Sequence, residues 1–169
     1  IFEPLGMRAT IATSATVAAQ PNVAMPHALV GGQLRAIENA TVDGVAPAGS
    51  VWSTVEDMAK WMQMLLAGGT VNGRVLLKPE TVTELFTPQT MVTVQAFYPT
   101  ARLTKPHWRT YGLGWFQQDY RGRAVDFHTG SIDGMVAIHG LMRDERLGVF
   151  VLANRDQAEL RHALMLNVF

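Results

Sequence analysis

The residues whose types and order could do chemistry together are His128, Thr129, Gly130 and Ser131. They stand in Phe127-His128-Thr129-Gly130-Ser131-Ile132-Asp133-Gly134, at the end of one alternating apolar stretch and just before the next. A turn of small residues at a strand edge presents backbone N–H groups and hydroxyls to a ligand. Donors held in place are what a developing oxyanion needs. A histidine just ahead of them adds a donor or a part-time cation, able to orient a substrate carboxylate or polarise a serine hydroxyl. The same spacing also reads as a plain glycine-bearing β-turn with no ligand.

The other candidates carry less. His27, His107 and His162 read as satisfied or surface histidines, and His139, inside an apolar run, reads as strand packing. None shows metal-ligand spacing, so no metal is expected. Gly49-Ser50 and Gly130-Ser131 do not form a Gly-x-Ser-x-Gly elbow. Gly112-Leu113-Gly114 runs on into Trp115 and Phe116 rather than into a helix, which is wrong for a dinucleotide loop, and no Walker-type loop is present. No cofactor is called for. Met58, Met62 and Met64 read as core filling.

The elements that must position these residues follow from period and punctuation. Residues 1–50 read as irregular chain with short strands at His27–Val30 and Gln33–Ile37, split by Gly31-Gly32. Val55, Met58, Ala59, Met62, Leu65 and Leu66 form one stripe, which predicts a helix from Ser53 to Ala67. Ser53 and Glu56 are spaced as a capping box and Gly68-Gly69 ends the helix. A short helix is expected from Pro79 to Phe86. Residues 87–110 read as a long loop whose Phe97, Tyr98 and Trp108 either line a cleft or pack on the surface. From there strands follow: Tyr111, Leu113 and Trp115 alternate, a turn falls at Tyr120-Arg121-Gly122, and Val125 and Phe127 alternate again. Met135–Met142 and Gly148–Ala153 are apolar runs joined by a charged turn. A closing helix is expected from about Gln157, with Asp156 as its N-cap. This is an α+β chain: an antiparallel sheet of three to four strands flanked by helices.

Composition bounds the partners. The 169 residues are 48% apolar and 17% charged, which is globular. Lys+Arg and Asp+Glu number 14 each, so no electrostatic footprint points to nucleic acid or to a polybasic membrane arm. There is no cysteine, which excludes disulfides, thiolate metal sites and a Cys nucleophile. No apolar run reaches the length of a membrane-spanning helix.

Longer motifs now fall into one pattern. Pro47-Ala48-Gly49-Ser50-Val51-Trp52-Ser53-Thr54-Val55-Glu56-Asp57-Met58-Ala59-Lys60-Trp61 resembles the "PAGG-x-x-ST-x-x-DMA-x-W" stretch of class C-type serine β-lactamases, their esterase relatives and D-peptidases. Tyr111-Gly112-Leu113-Gly114-Trp115 resembles that family's "YGLGW". His128-Thr129-Gly130 is similar to its third motif, Lys-Thr-Gly, in the His-x-Gly form of the esterase and peptidase branches. Pro4-Leu5-Gly6-Met7, Gly134 and Val151-Leu152-Ala153-Asn154 fit in order and spacing, so the resemblance spans essentially residues 1–169 as one domain portion.

The resemblance implies the C-terminal part of a β-lactamase/transpeptidase-like fold and the chemistry of acyl transfer, on ester, amide or β-lactam substrates. It implies that Ser131 supplies an oxyanion N–H, that His128 stands in the place of the motif's lysine, and that Thr129 and Gly130, with Trp108, meet the substrate. The nucleophile's Ser-x-x-Lys is missing: Lys60, Lys78 and Lys105 follow Asp57, Val75 and Arg102 by three. Tyr-x-Asn is missing too, since Thr100, Leu113 and Gly122 stand two after Tyr98, Tyr111 and Tyr120. The expectation is a C-terminal fragment, inactive alone, whose partners are a small-molecule or peptide substrate and the N-terminal part of its own domain. The family's habit of export implies a periplasmic or secreted setting. The alternative is a non-catalytic binding or sensing module on the same fold. A histidine in place of a permanently charged lysine favours esters or D-amino-acid peptides over penicillins.

A sheet lacking its flanking strands exposes apolar faces and open edges, which drive association. Residues 1–169 expressed alone are therefore expected to self-associate; static light scattering at micromolar concentration checks this, and a clean monomer refutes it.

Overall fold

The computed structural model describes residues 1–93, 104–156 and 158–169. Five α-helices are described: α1 (Phe2–Leu5), α2 (Ala46–Gly49), α3 (Val55–Leu66), α4 (Pro79–Leu85) and α5 (Leu160–Val168). Two small hairpins, β1 (His27–Val30) with β2 (Gln33–Ala36) and β3 (Thr70–Val71) with β4 (Arg74–Val75), stand apart from the main sheet. That sheet is antiparallel and has six strands: β5 (Thr90–Met91), β6 (Arg109–Tyr111), β7 (Phe116–Tyr120), β8 (Arg123–Ile132), β9 (Met135–Met142) and β10 (Leu147–Ala153). Their spatial order is β10-β9-β8-β7-β6-β5, so every neighbour in space is a neighbour in sequence. No described helix is long and apolar enough to cross a membrane.

The α+β class expected from the sequence is the one observed. The sheet is larger than expected because Thr90–Met91, inside the stretch 87–110 read as loop, pairs with a strand that begins within that stretch at Arg109 and ends at Tyr111. Phe97 and Tyr98 lie outside the described residues. The expected strand through Tyr111, Leu113 and Trp115 ends at Tyr111. Gly112–Trp115 is instead the tight connection to β7, closed by Gly112 N–H donating to the Trp115 carbonyl at 2.8 Å. Alternating apolar residues there mark a turn between two strands rather than one strand.

Helix α3 also starts differently from its expected capping box. Thr54, not Ser53, is the N-cap: its Oγ1 accepts from Asp57 N–H at 3.2 Å. Ser53 turns away and shares a 2.8 Å hydrogen bond with Thr10. Asp57, 3% exposed, then ties the N-terminal chain to this helix. It accepts from Ala9 N–H at 2.8 Å, from Thr10 Oγ1 at 2.9 Å and from Lys60 Nζ at 2.7 Å. Burial alone would raise its carboxyl, but the Lys60, Ala9 and Thr10 donors together hold it below the ordinary value. The closing helix begins at Leu160 with Glu159 at the N-cap position, its side chain turned to Arg161 and His162 rather than capping the helix. Gln157 lies outside the described residues, and Asp156, expected as the cap, is engaged elsewhere.

Helices cover both faces of the sheet. In a strand alternate side chains go to opposite faces. Leu141 packs with Met62, Leu65, Phe86 and Trp115 under α3 and α4. Val125, Phe127, Ile138 and Met142 pack with Met165 and Leu166 of α5. Gly140 permits that close approach, since a Cβ there would overlap Met165 Sδ and the Phe169 ring. Burying a side chain such as Ile138, 1% exposed, stabilises the fold by about 1.5–3 kcal/mol.

The β8–β9 turn is clamped from outside. Gly134 N–H donates to Asp156 Oδ1 at 2.9 Å, its carbonyl accepts from His27 N–H at 3.2 Å, and Asp156 N–H donates to the His27 carbonyl at 2.9 Å. Gly134 sits at φ 76°, and a Cβ there would stand 2.6 Å from Pro26 Cβ and 2.7 Å from His27 N. Both the left-handed backbone and the contact demand glycine. Gly134→Ala should therefore cost about 2 kcal/mol or more, read as a lower urea midpoint of unfolding; an unchanged midpoint would mean that the clamp is not formed.

Candidate functional site

The His-Thr-Gly-Ser run is strand rather than turn. His128–Ile132 is the last part of β8, with His128 opposite His139, Thr129 opposite Ile138, Gly130 opposite Ala137 and Ser131 opposite Val136. The turn falls after it, at Asp133-Gly134. Pairing with β7 stops at Phe116↔Phe127, so from His128 onward β8 pairs with β9 alone among the described strands. In an antiparallel ladder alternate residues send their N–H and C=O to opposite sides. This stretch thus carries backbone groups directed at an open edge, and Gly130 and Ser131 are both exposed. Helix α2 approaches the far end of the strand: a Cβ on Gly49 would lie 3.0 Å from Ile132 Cδ1.

Alternation divides the run between the two faces. Thr129 lies on the α5 face, 7% exposed, its Oγ1 donating to the Ala137 carbonyl at 2.8 Å and accepting from Arg161 Nε at 2.9 Å. Its hydroxyl is committed within the protein. His128 and Gly130 lie on the opposite face, in register with His139 and Ala137. Leu152, opposite Ala137, is 44% exposed, so this end of the face stands uncovered among the described residues.

Rings surround His128. Phe116 stacks on it with centroids 5.7 Å apart, and Tyr111 approaches edge-on with its Oη 3.1 Å from Nε2. Its cross-strand partner His139 is 6.4 Å away and is itself stacked at 4.5 Å on Trp115. Burial holds the His128 imidazole below its ordinary value of 6.5 and raises the Tyr111 phenol above 10. His139 is pushed down to about 4, by burial first and then by His128 beside it.

The structure brings His128, Thr129, Gly130 and Ser131 together on one strand end and leaves Trp108 away from them. Trp108 precedes β6 at its far end, with its N–H on Asp119 Oδ1 at 3.3 Å, and its side chain is 39% exposed. Three extended residues, roughly 10 Å, separate it from Tyr111. His107, beside it, is exposed and pairs with Asp119 at 2.6 Å, which raises its pKa. Tyr111, His139 and Arg161 are the neighbours that the sequence did not single out for the site. Each meets the run through strand register or helix docking, which local spacing does not show. No group of three or more His, Asp or Glu among the described residues could hold a metal ion.

The profile of the Beta-lactamase family matches residues 1–167. The chain belongs to the Beta-lactamase family. Members of this family are serine hydrolases. A comparison with curated proteins found no match. Among solved structures, the octameric penicillin-binding protein homologue from Pyrococcus abyssi superposes with a TM-score of 0.74 at 24% identity, over 99% of this chain and 36% of that one. The D-stereospecific amidohydrolase from Streptomyces sp. gives 0.68 at 22% identity, over 96% and 45%. The class C beta lactamase from Rhodobacter sphaeroides gives 0.64 at 18%, over 99% and 51%. These likenesses show the β-lactamase-type fold. The chain spans between about a third and a half of each neighbour's length.

In this Beta-lactamase-family chain the His139 imidazole gives the fold a pH dependence. A base whose folded pKa is depressed adds stability that is fully present above its unfolded value, 6.5, and is lost as pH falls toward about 4. The span corresponds to about 3 kcal/mol. Urea unfolding of the intact protein at steps from pH 7.5 to 4 should show that decline, to which half-buried His128 and buried His162 add in the same direction, and His139→Phe should flatten part of it; an equally steep decline in the variant would place the titrating group elsewhere.

Proposed function

We propose that this chain carries the substrate-binding and oxyanion-binding strand of a serine acyl-transfer enzyme that hydrolyses esters or amides. The observation that carries the reading is the open edge of β8 at His128–Ser131, with exposed Gly130 and Ser131 beside a half-buried imidazole. Fixed backbone N–H groups on such an edge can hold the oxygen that gains charge when a carbonyl is attacked. Membership of the family supports acyl transfer as the reaction class. By the resemblance of His128-Thr129-Gly130 to the third motif, the Ser131 N–H is the donor in question.

The roles divide as follows. A serine Oγ, outside these 169 residues in this reading, forms the acyl bond; the alcohol or amine leaves with a proton, and water then cleaves the acyl-serine. His128, half-buried beside the open edge, offers the substrate a hydrogen bond. Thr129, its hydroxyl held by Ala137 and Arg161, acts through the strand's backbone rather than through its side chain. Gly130 leaves room for substrate against the strand. Trp108 has no part in this reading.

An imidazole held neutral by burial is a poor anchor for a carboxylate. That favours esters and D-amino-acid amides over penicillins, and the fold of a D-stereospecific amidohydrolase fits the second class. The self-association expected of residues 1–169 alone, and an exported setting, stay part of the proposal.

The intact protein should hydrolyse p-nitrophenyl butyrate or a D-amino-acid p-nitroanilide faster than nitrocefin, and a fluorophosphonate should label it at serine. Much faster turnover of nitrocefin would overturn the substrate assignment. Silence with all three substrates and no label would overturn the enzyme reading in favour of a binding module.

A further inference from the structure

Tyr111 reaches His128 from a strand that is not its neighbour. β6 is separated from β8 by β7, yet Tyr111 Oη lies 3.1 Å from His128 Nε2, because β7 begins only at Phe116 and leaves the end of β8 open. Tyr111 is itself fixed: its ring meets Phe116 edge-on at 4.6 Å, and β6 pairs Tyr111 with both Phe116 and Thr90. Phe116 stacks on the His128 ring and limits its rotation.

The groups facing that imidazole are few. Tyr111 comes from β6, Phe116 from β7 and His139 from β9. Asp126, two residues along β8 on the same face, has its Oδ1 on Gln117 Nε2 and its Oδ2 on Arg143 Nε, both at 2.7 Å. No carboxylate among the described residues is bonded to the ring. Nδ1 has no protein partner among them and is not one of the buried unpartnered atoms, so it keeps contact with solvent.

We propose that Tyr111 is the positioning residue for His128: its hydroxyl donates to Nε2, fixes the ring as the Nδ1–H tautomer, and makes Nδ1–H a neutral donor at the open end of β8. The direction follows from acid and base strength. A phenol is the better proton donor of the two and an imidazole nitrogen the better acceptor. Once Nε2 accepts, a neutral ring must carry its proton on Nδ1. Burial opposes protonation of His128, and His139, stacked on Trp115 opposite it, is held neutral by burial first and then by His128. The pair therefore presents one directed donor without charge. It suits a carbonyl or amide oxygen next to the reacting bond better than a carboxylate, and in this it rests on the function proposed above.

Ring nitrogen shifts of the ¹⁵N-histidine-labelled intact protein at pH 7.5 decide the matter. His128 should show a protonated Nδ1 and an unprotonated Nε2. Tyr111→Phe, which keeps the ring, should yield a mixture of tautomers. A protonated Nε2 in the wild-type protein would overturn the proposal without any variant, and an unchanged tautomer in Tyr111→Phe would overturn it as well. In the active enzyme the same variant should lower kcat/KM on a neutral ester about tenfold, the value of one hydrogen bond. Protein that turns over no acyl substrate yet shows the expected shifts would overturn the functional reading and leave the tautomer lock standing.

Discussion

The register of β8 against β9 is the constraint on which the rest of this structure hangs. Seven residue pairs, from Asp126↔Leu141 to Ile132↔Met135, set the faces of both strands at once. With that register Val125, Phe127 and Ile138 meet α5, Leu141 meets α3, and His128 stands opposite His139. A slip of one residue would send every one of these side chains to the other face. The hairpin therefore needs a stop at its turn, and Gly134 supplies it, held by His27 on one side and Asp156 on the other. The clamp joins residues more than a hundred positions apart, so the N-terminal third of the chain helps to fix the strand that carries the candidate site.

That strand serves its two faces differently. On the α5 side Thr129 bonds Ala137 and Arg161. Arg161 is 6% exposed, and a cation so placed needs partners; Thr129 Oγ1, the Ala158 carbonyl and Glu159 provide them. This is anchoring chemistry. On the other side Gly130 is exposed, His128 is half-buried among rings, and beyond Phe127 the strand's outer edge is unpaired among the described strands. Rigidity behind and openness in front are what a preorganised donor set requires, since donors that must reorganise to meet an oxyanion lose much of their effect.

Much of this was legible in the residues. The stripe in Val55–Leu66, the apolar runs at Met135–Met142 and Gly148–Ala153 and the charged turn between them show the helix and hairpin directly, because period and punctuation are local signals. The motif order was legible too, and the match of the family profile to residues 1–167 agrees with it. What stayed hidden depends on contacts distant in sequence. Ser53 and Thr54 both suit an N-cap, and only the Thr10 hydroxyl drawing Ser53 away decides for Thr54. Asp156 looks like a cap until Gly134 takes it. The run at His128 looks like a turn because its residues are small; it is strand because β9 pairs with it. β5 and β6, at two and three residues, are too short to show alternation at all.

The aromatic surroundings of His128 explain why a histidine there differs from a lysine by more than charge. A lysine ammonium is compact and strongly hydrated, with three donors on a flexible stem, and it would need water or a carboxylate near it. The space around His128 holds Phe116, Tyr111, and His139 stacked on Trp115. Such a wall penalises a cation by desolvation and accommodates a flat neutral ring, whose faces pack while its edge still forms hydrogen bonds. The same wall keeps His139 neutral, so the two imidazoles share one electrostatic setting across the β8–β9 ladder. Neutrality is then a property of the packed rings of β6 to β9 rather than of His128 alone. Changing the charge preference of this strand end would mean rebuilding its neighbours as well as the residue itself.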